Sequence, residues 1–128
     1  MINSLTGASA DCVRGGGDVA IVYAGDYVNK LSGERIEREC RNRLEAGCRA
    51  LVISFKNTEL VNSIGVSILI GVVDLAEARA ARVVFTNLSR HTVQLFDLLG
   101  LTRLAAMAES DEAALATLKE FTPTLPGH

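Results

Sequence analysis

Ser63 is the residue of this chain whose surroundings best suit chemistry. Leu51-Val-Ile-Ser-Phe55 reads as a buried strand, Lys56-Asn-Thr-Glu59 as a turn, and Leu60-Val-Asn-Ser-Ile-Gly-Val66 as the entry to a long apolar helix. Asn62 suits the N-cap, because its side-chain oxygen can accept from backbone N–H groups one turn later that would otherwise lack partners. Ser63 is then the first helical residue, with its hydroxyl at the positive end of the helix dipole. A phosphate added there would meet free N–H groups and a favourable field. An Asn-Ser pair is also an ordinary helix start, so the helix behind it has to add weight. At 100° per residue, Ile64, Ile68, Leu69, Val72 and Leu75 fall on one side and are expected to face a sheet. Ser63, Ser67, Ile70, Gly71, Asp74 and Glu77 fall on the other, with Val66 beside the two serines. A small, partly apolar outward face made by Asn62, Ser63, Val66, Ser67 and Ile70 suits the docking of a partner better than solvation.

Other candidates for chemistry are weaker. A nucleophilic Ser63 would need a base, and His91 is the natural choice. However, G-x-S-x-G is absent, and His91, beside Ser89 and Arg90 at a helix start, reads as a surface residue. No catalytic residue is expected, and the protein is read as not being an enzyme. Cys12, Cys40 and Cys48 form no C-x-x-C pair, and His91 and His128 are the only histidines, so no metal site is expected. Cys40 lies on an apolar helical stripe and reads as a buried reduced thiol. Gly15-Gly-Gly-Asp18 is not followed by Gly-Lys-Ser/Thr and reads as a hairpin turn rather than a phosphate loop, so no cofactor is expected.

The elements that must hold Ser63 follow from the rest of the chain. Its 128 residues, 48% hydrophobic, suit a single domain with a proper core. A charged fraction of 22% and a net charge of -2 argue against a general nucleic-acid or anionic-membrane surface. The apolar run from Ile64 to Leu75 is too short to span a bilayer. The N-terminus lacks the basic start and apolar region of a secretory signal, and a cytoplasmic location is expected.

In order, Cys12-Val-Arg reads as a short edge strand and Val19 to Ala24 as a buried strand closed by Gly25-Asp26. Tyr27 to Leu31 reads as a loop. Ser32 is expected to cap a helix to about Ala46, with Ile36, Cys40 and Leu44 on its apolar face and charges of both signs on the other. Gly47 ends it. Ala50 to Phe55 is apolar throughout, as befits a central strand. The Asn62 helix runs to about Arg79, and Arg82 to Thr86 is a third core strand. Ser89 caps a helix containing Val93, Phe96, Leu98 and Leu99, which Gly100 ends. Leu104 to Met107 reads as a short final strand, and Ser110 begins a helix to about Phe121. The expected fold is α/β: one domain over residues 11–121, with a mixed sheet of four or five strands flanked by about four helices. Residues 1–10 form a lead-in, and 122–128, with Pro123 and Pro126, an irregular tail.

From about Val19 to Leu118 the chain resembles the STAS domain family, whose soluble members include bacterial anti-sigma-factor antagonists. The family's Asp-Ser-Ser/Thr-Gly-Leu/Ile signature, between a core strand and a helix, is matched by Asn62-Ser63-Ile64-Gly65-Val66. Asn87-Leu-Ser89 through Leu95-Phe-Asp-Leu-Leu-Gly-Leu101 is similar to a strand-end Asn-x-Ser followed by Leu-Phe-x-x-x-Gly-Leu. Ser110-Asp-Glu-Ala-Ala is a third match. The resemblance implies that Ser63 is phosphorylated by a partner anti-sigma factor that is a serine kinase, and that the phosphate switches binding off. Asn62 stands where the family has an acid, Ile64 replaces its second hydroxyl residue, and Gly25-Asp26-Tyr27-Val28 matches an early Gly-Glu-Leu-Asp without the final acid. A neutral Asn62 caps as well as Asp and removes a charge that would repel phosphate on Ser63. The alternative implied by the family is a constitutive scaffold subunit of a signalling or transport assembly. A homodimer is left open.

Overall fold

The computed structural model describes residues 12–13 and 19–121. Strand β1 (Cys12–Val13) runs antiparallel to β2 (Val19–Tyr23), with Val13 opposite Val19. The turn read at Gly15 to Asp18 lies outside the described residues. β2, β4 (Ala50–Ser54), β6 (Arg82–Thr86) and β7 (Ala106–Ala108) then follow side by side and parallel, giving a mixed five-stranded sheet. Two further strands, β3 (Tyr27–Val28) and β5 (Leu60–Val61), form a separate parallel pair.

Parallel neighbours require crossovers, and here each is a helix. α1 (Lys30–Glu45) links β3 to β4, α2 (Ser63–Ala78) links β5 to β6, and α3 (Arg90–Leu98) with a 3-10 turn at Leu101–Arg103 links β6 to β7. Alternation along the strands sorts the core into two layers. Ala20, Val22, Leu51, Ile53, Val83 and Phe85 belong to the cluster that α1, α2 and α3 close with Ile36, Cys40, Leu69, Val72 and Phe96. Val19, Ala50, Val52 and Val84 face the other way, under Ala114 and Leu118 of α4 (Asp111–Phe121). Phe55, Phe85 and Phe96 meet with ring centroids 5.2–6.1 Å apart, which seals the core below the loop that leads to α2.

Four expectations need correction. The cap of α1 is Asn29, not Ser32. Ser32 is the third residue of a capping box: its N–H donates to Asn29 Oδ1 at 3.1 Å, and its hydroxyl accepts from the Asn29 N–H at 2.9 Å. The loop read at Tyr27 to Leu31 contains β3, a strand too short to show a period. The helix read as containing Leu99 ends at Leu98, with Leu99 as its C-cap; in it Thr92 and Phe96 are buried, whereas Leu98 is 80% exposed and Val93 is also exposed.

The fourth correction concerns α2. Val66, expected on the docking face, is completely buried, and Ile64, expected in the core, is 55% exposed. The buried stripe is Gly65, Val66, Leu69, Val72, Val73 and Ala76, which turns the helix away from the expected orientation. Contact with α1 as well as with the sheet accounts for this. Gly33 of α1 lies so near Ile68 that a Cβ on it would sit 3.0 Å from Ile68 Cδ1. Gly65 lies flat on Val28, where a Cβ would come within 2.7 Å of Cγ1 and 2.8 Å of the carbonyl oxygen. Ile70 is half-buried and packs against the core, so it offers only part of its surface.

Candidate functional site

The first turn of α2 is held by a short series of backbone and side-chain bonds. The turn after β2 is fixed when Arg35 of α1 donates to the carbonyl oxygens of Ala24 at 2.9 Å and Tyr23 at 3.3 Å. Gly25 takes φ +92, a conformation that disfavours any side chain. The loop after β4 is latched to this turn: the Thr58 hydroxyl donates to Gly25 O, and the N–H groups of Glu59 and Leu60 donate to Asp26 O. Pairing of β3 with β5 continues the latch, and the Asn62 N–H donates to Val28 O at 2.9 Å. Ser63 is therefore presented from a rigid base rather than on a long loop.

Asn62 caps α2 as expected, accepting from the Gly65 N–H at 2.8 Å. Ser63 follows as the first helical residue and is exposed. Among the described residues no partner holds its hydroxyl, whereas the Ser67 hydroxyl, one turn on and also exposed, donates to Ser63 O at 3.1 Å. Neither helix of the α1–α2 pair carries an acidic residue in its first turn. An anion at Ser63 would thus meet the helix dipole without local repulsion from its own turn.

Of the five residues expected at the docking face, Asn62, Ser63 and Ser67 lie together at this end, Ile70 is half-buried, and Val66 points inward. In place of Val66 stands an apolar group that sequence reasoning missed. Tyr27 and Leu60 face each other across the β3–β5 ladder, 46% and 59% exposed, while Val28 on the opposite side of the strand is buried. Leu31, in the first turn of α1, and Ile64, in the first turn of α2, are also largely exposed. The available signal was the alternation of Tyr27-Val28 and Leu60-Val61, legible only once the two pairs are known to be strands.

The other reactive groups are elsewhere or sealed. His91 is exposed on α3. Cys40 is buried, and desolvation, with Glu39 adding to it, pushes its thiol from an ordinary value of 9.0 up to about 12, so it carries little thiolate. Among the described residues no cluster of His, Cys, Asp or Glu could hold a metal ion, and no helix is long and apolar enough to cross a membrane. The strand ends beyond β4 and β6 are tied by polar bonds. Asp111 Oδ1 accepts from the Thr86 hydroxyl and from the Asn87 amide, and Asn87 also donates to the Ser54 hydroxyl. Asn87 has φ 59, which Asn tolerates better than most residues. These bonds fix how α4 and the Asn-x-Ser segment leave the sheet.

The same architecture occurs in known proteins. BtrV of Bordetella bronchiseptica, whose name proposes an anti-sigma factor antagonist, is 25% identical over 96 residues, covering 75% of this chain and 83% of BtrV. The anti-sigma factor antagonist SpoIIAA in its unphosphorylated form superposes with a TM-score of 0.69 at 18% identity, over 80% of this chain and 89% of SpoIIAA. SpoIIAA of Bacillus in its phosphorylated form gives 0.62 at 19% identity, over 78% and 90%. A chain of the stressosome, a signal integration and transduction hub, gives 0.66 at 21% identity, over 81% and 92%. The sequence profile of the STAS domain matches residues 13–114, nearly the whole described fold and all of the site around Ser63, so the chain belongs to the STAS domain family.

Proposed function

We propose that this chain is an anti-sigma-factor antagonist of the partner-switching type, docking an anti-sigma factor with serine kinase activity through the first turn of α2 and the apolar group beside it. The observation that carries this reading is the placement of Ser63: exposed, first in its helix, held on a latched base, and flanked by the exposed Ile64 and Leu60. No residue of this chain need be catalytic. A phosphate on Ser63 would put about -1.5 to -2 charges into a small, partly apolar contact, where they must be desolvated unless a cation meets them. Release follows from that penalty. The fold itself tolerates the charge, because the helix N-terminus favours it.

A pull-down from the source cell's cytoplasm would identify the partner, and incubation with that partner and ATP would show by mass whether Ser63 gains a phosphate. Ser63→Ala is expected to keep the partner. Ser63→Asp and Ile64→Glu are expected to weaken the complex by about tenfold or more, as for a charge placed at a hot spot. Ile70→Glu should have a smaller effect, since Ile70 is half-buried. Tight binding by both Ser63→Asp and Ile64→Glu would move the docking surface elsewhere. The resemblance to a stressosome chain favours a second reading, a constitutive scaffold subunit. In that case the complex forms, but no phosphate appears on Ser63.

A further inference from the structure

Among the described residues, β7 is one outer edge of the five-stranded sheet. The alternation of a parallel ladder decides which of its backbone groups face outward. The Arg82 N–H donates to Arg49 O and the Phe55 N–H to Thr86 O, so these residues of β6 bond toward β4, and Phe85, of opposite parity, bonds toward β7. Phe85 is in register with Met107. In a parallel pair the opposite residue bonds through its two neighbours, so Ala106 and Ala108 serve β6 while Met107 turns its own N–H and C=O to the open edge.

At three residues this edge is short, which limits pairing to a few bonds. Its sequence, Ala-Met-Ala, contains no charge and no proline. Apolar side chains gather beside it: Met107 is 36% exposed, Val93 37% and Leu104 45%. Leu88, Val93, Met107, Ala108 and Glu109 line an open cavity of about 410 Å³. Charge lies only at the two ends, where the exposed Arg103 precedes the strand and the exposed Glu109 follows it. A strand with a cation before it and an anion after it is complementary to itself when it runs antiparallel to a copy of itself. A two-fold axis also sets each apolar patch against its own counterpart.

We propose that this edge is the interface of a homodimer in which two copies of β7 pair antiparallel about Ala106, joining their sheets and bringing Arg103 of each copy to Glu109 of the other. Each Met107 would exchange both backbone bonds with Ala105 of the other copy, and Val93 and Leu104 would be covered between the copies. The interface is independent of the Ser63 reading, which uses other elements.

Sedimentation equilibrium of the full chain over a range of concentrations is the test, with circular dichroism confirming that each variant is folded. The parent is expected to dimerise reversibly. Met107→Lys, a substitution that natural edge strands use against pairing, should raise the dimer dissociation constant by about tenfold or more. Arg103→Glu should weaken the dimer, and adding Glu109→Arg to it should restore association. A parent that stays monomeric up to ~1 mM overturns the proposal and leaves the edge for a strand of another protein. A dimer that survives Met107→Lys overturns it equally, and one that the paired charge reversal fails to restore overturns the antiparallel register.

Discussion

α1 and α2 are both 16 residues long, both start from an asparagine cap, and pack against each other on the same face of the sheet. They differ in what they show to water. α1 carries charges on every side but one, so its buried line of Ile36, Cys40 and Leu44 stands out. α2 is apolar almost all round, and its exposed first turn carries a serine. The charged helix announces its orientation in sequence; the apolar helix takes its orientation from what it touches.

The largest effect should come from two residues of one turn that the structure sets on opposite faces. Val66→Glu puts a charge into the apolar core, and should cost about 4 kcal/mol or more, a large part of the roughly 5–15 kcal/mol that holds a domain together. Ile64→Glu, two residues earlier, should change stability by about 0.5 kcal/mol or less. Chemical denaturation of both variants checks this. The reverse order, with Ile64→Glu the more damaging, would mean that α2 is rotated as the apolar periodicity alone suggests.

That rotation marks where the sequence stops being legible. Periodicity locates a stripe by contrast, and in Ser63 to Ala78 the only strong contrast comes late, at Asp74 and Glu77. What turns the helix is the close approach of Gly65 to Val28 and of Ile68 to Gly33. Both are contacts between segments far apart in the chain. The strands β2, β4 and β6, by contrast, are mostly apolar runs and are read correctly, β4 as central and β2 and β6 as buried core strands. Asn62 and Ser63 are placed correctly because a cap is a local matter of four residues. Asn29 was missed in favour of Ser32 because both belong to one capping box, and the apolar docking group was missed because β3 and β5 exist only as partners of each other.

The second contrast is between the two potential nucleophiles. Cys40 on α1 is sealed, and Ser63 on α2 is open. Because burial raises the folded-state value of the Cys40 thiol above its unfolded value of 9.0, its contribution to stability is complete below pH 9.0 and is lost as pH rises toward about 12. Within that window stability should fall by up to about 1.4 kcal/mol more per pH unit in the parent than in Cys40→Ala. Parallel slopes for the two proteins would show that the thiol is not desolvated. Thiol reagents should label Cys40 at neutral pH only at the rate of global unfolding.

The third contrast lies within α2. Gly65→Ala drives a Cβ against the Val28 backbone and should cost about 1–3 kcal/mol, with a further loss if Asn62 is displaced. Gly71→Ala, in the same helix, has no atom within 4 Å of the new Cβ and should stabilise by about 0.5–1 kcal/mol. Melting temperatures that move in opposite directions would confirm that the signature glycine is required by contact rather than by helix entropy.

The smallest effect compares the two N-termini and bears most directly on the switch. α1 begins with the exposed Lys30 and α2 with the exposed Ser63, and neither first turn has an acid. Ser63→Asp should therefore stabilise the fold by roughly 0.3–1 kcal/mol through the helix dipole, and Lys30→Asp by about twice that, since it also removes an unfavourable cation. Both gains should shrink in high salt, which screens charges at this distance from solvent. Urea denaturation at low and high salt measures them. A Ser63→Asp variant that is destabilised by more than about 1 kcal/mol would contradict the helix-end geometry. Any loss of partner would then be a consequence of unfolding. If the fold instead gains stability while the complex weakens, the cost of the charge must lie in the interface, which is where a phosphate switch has to act.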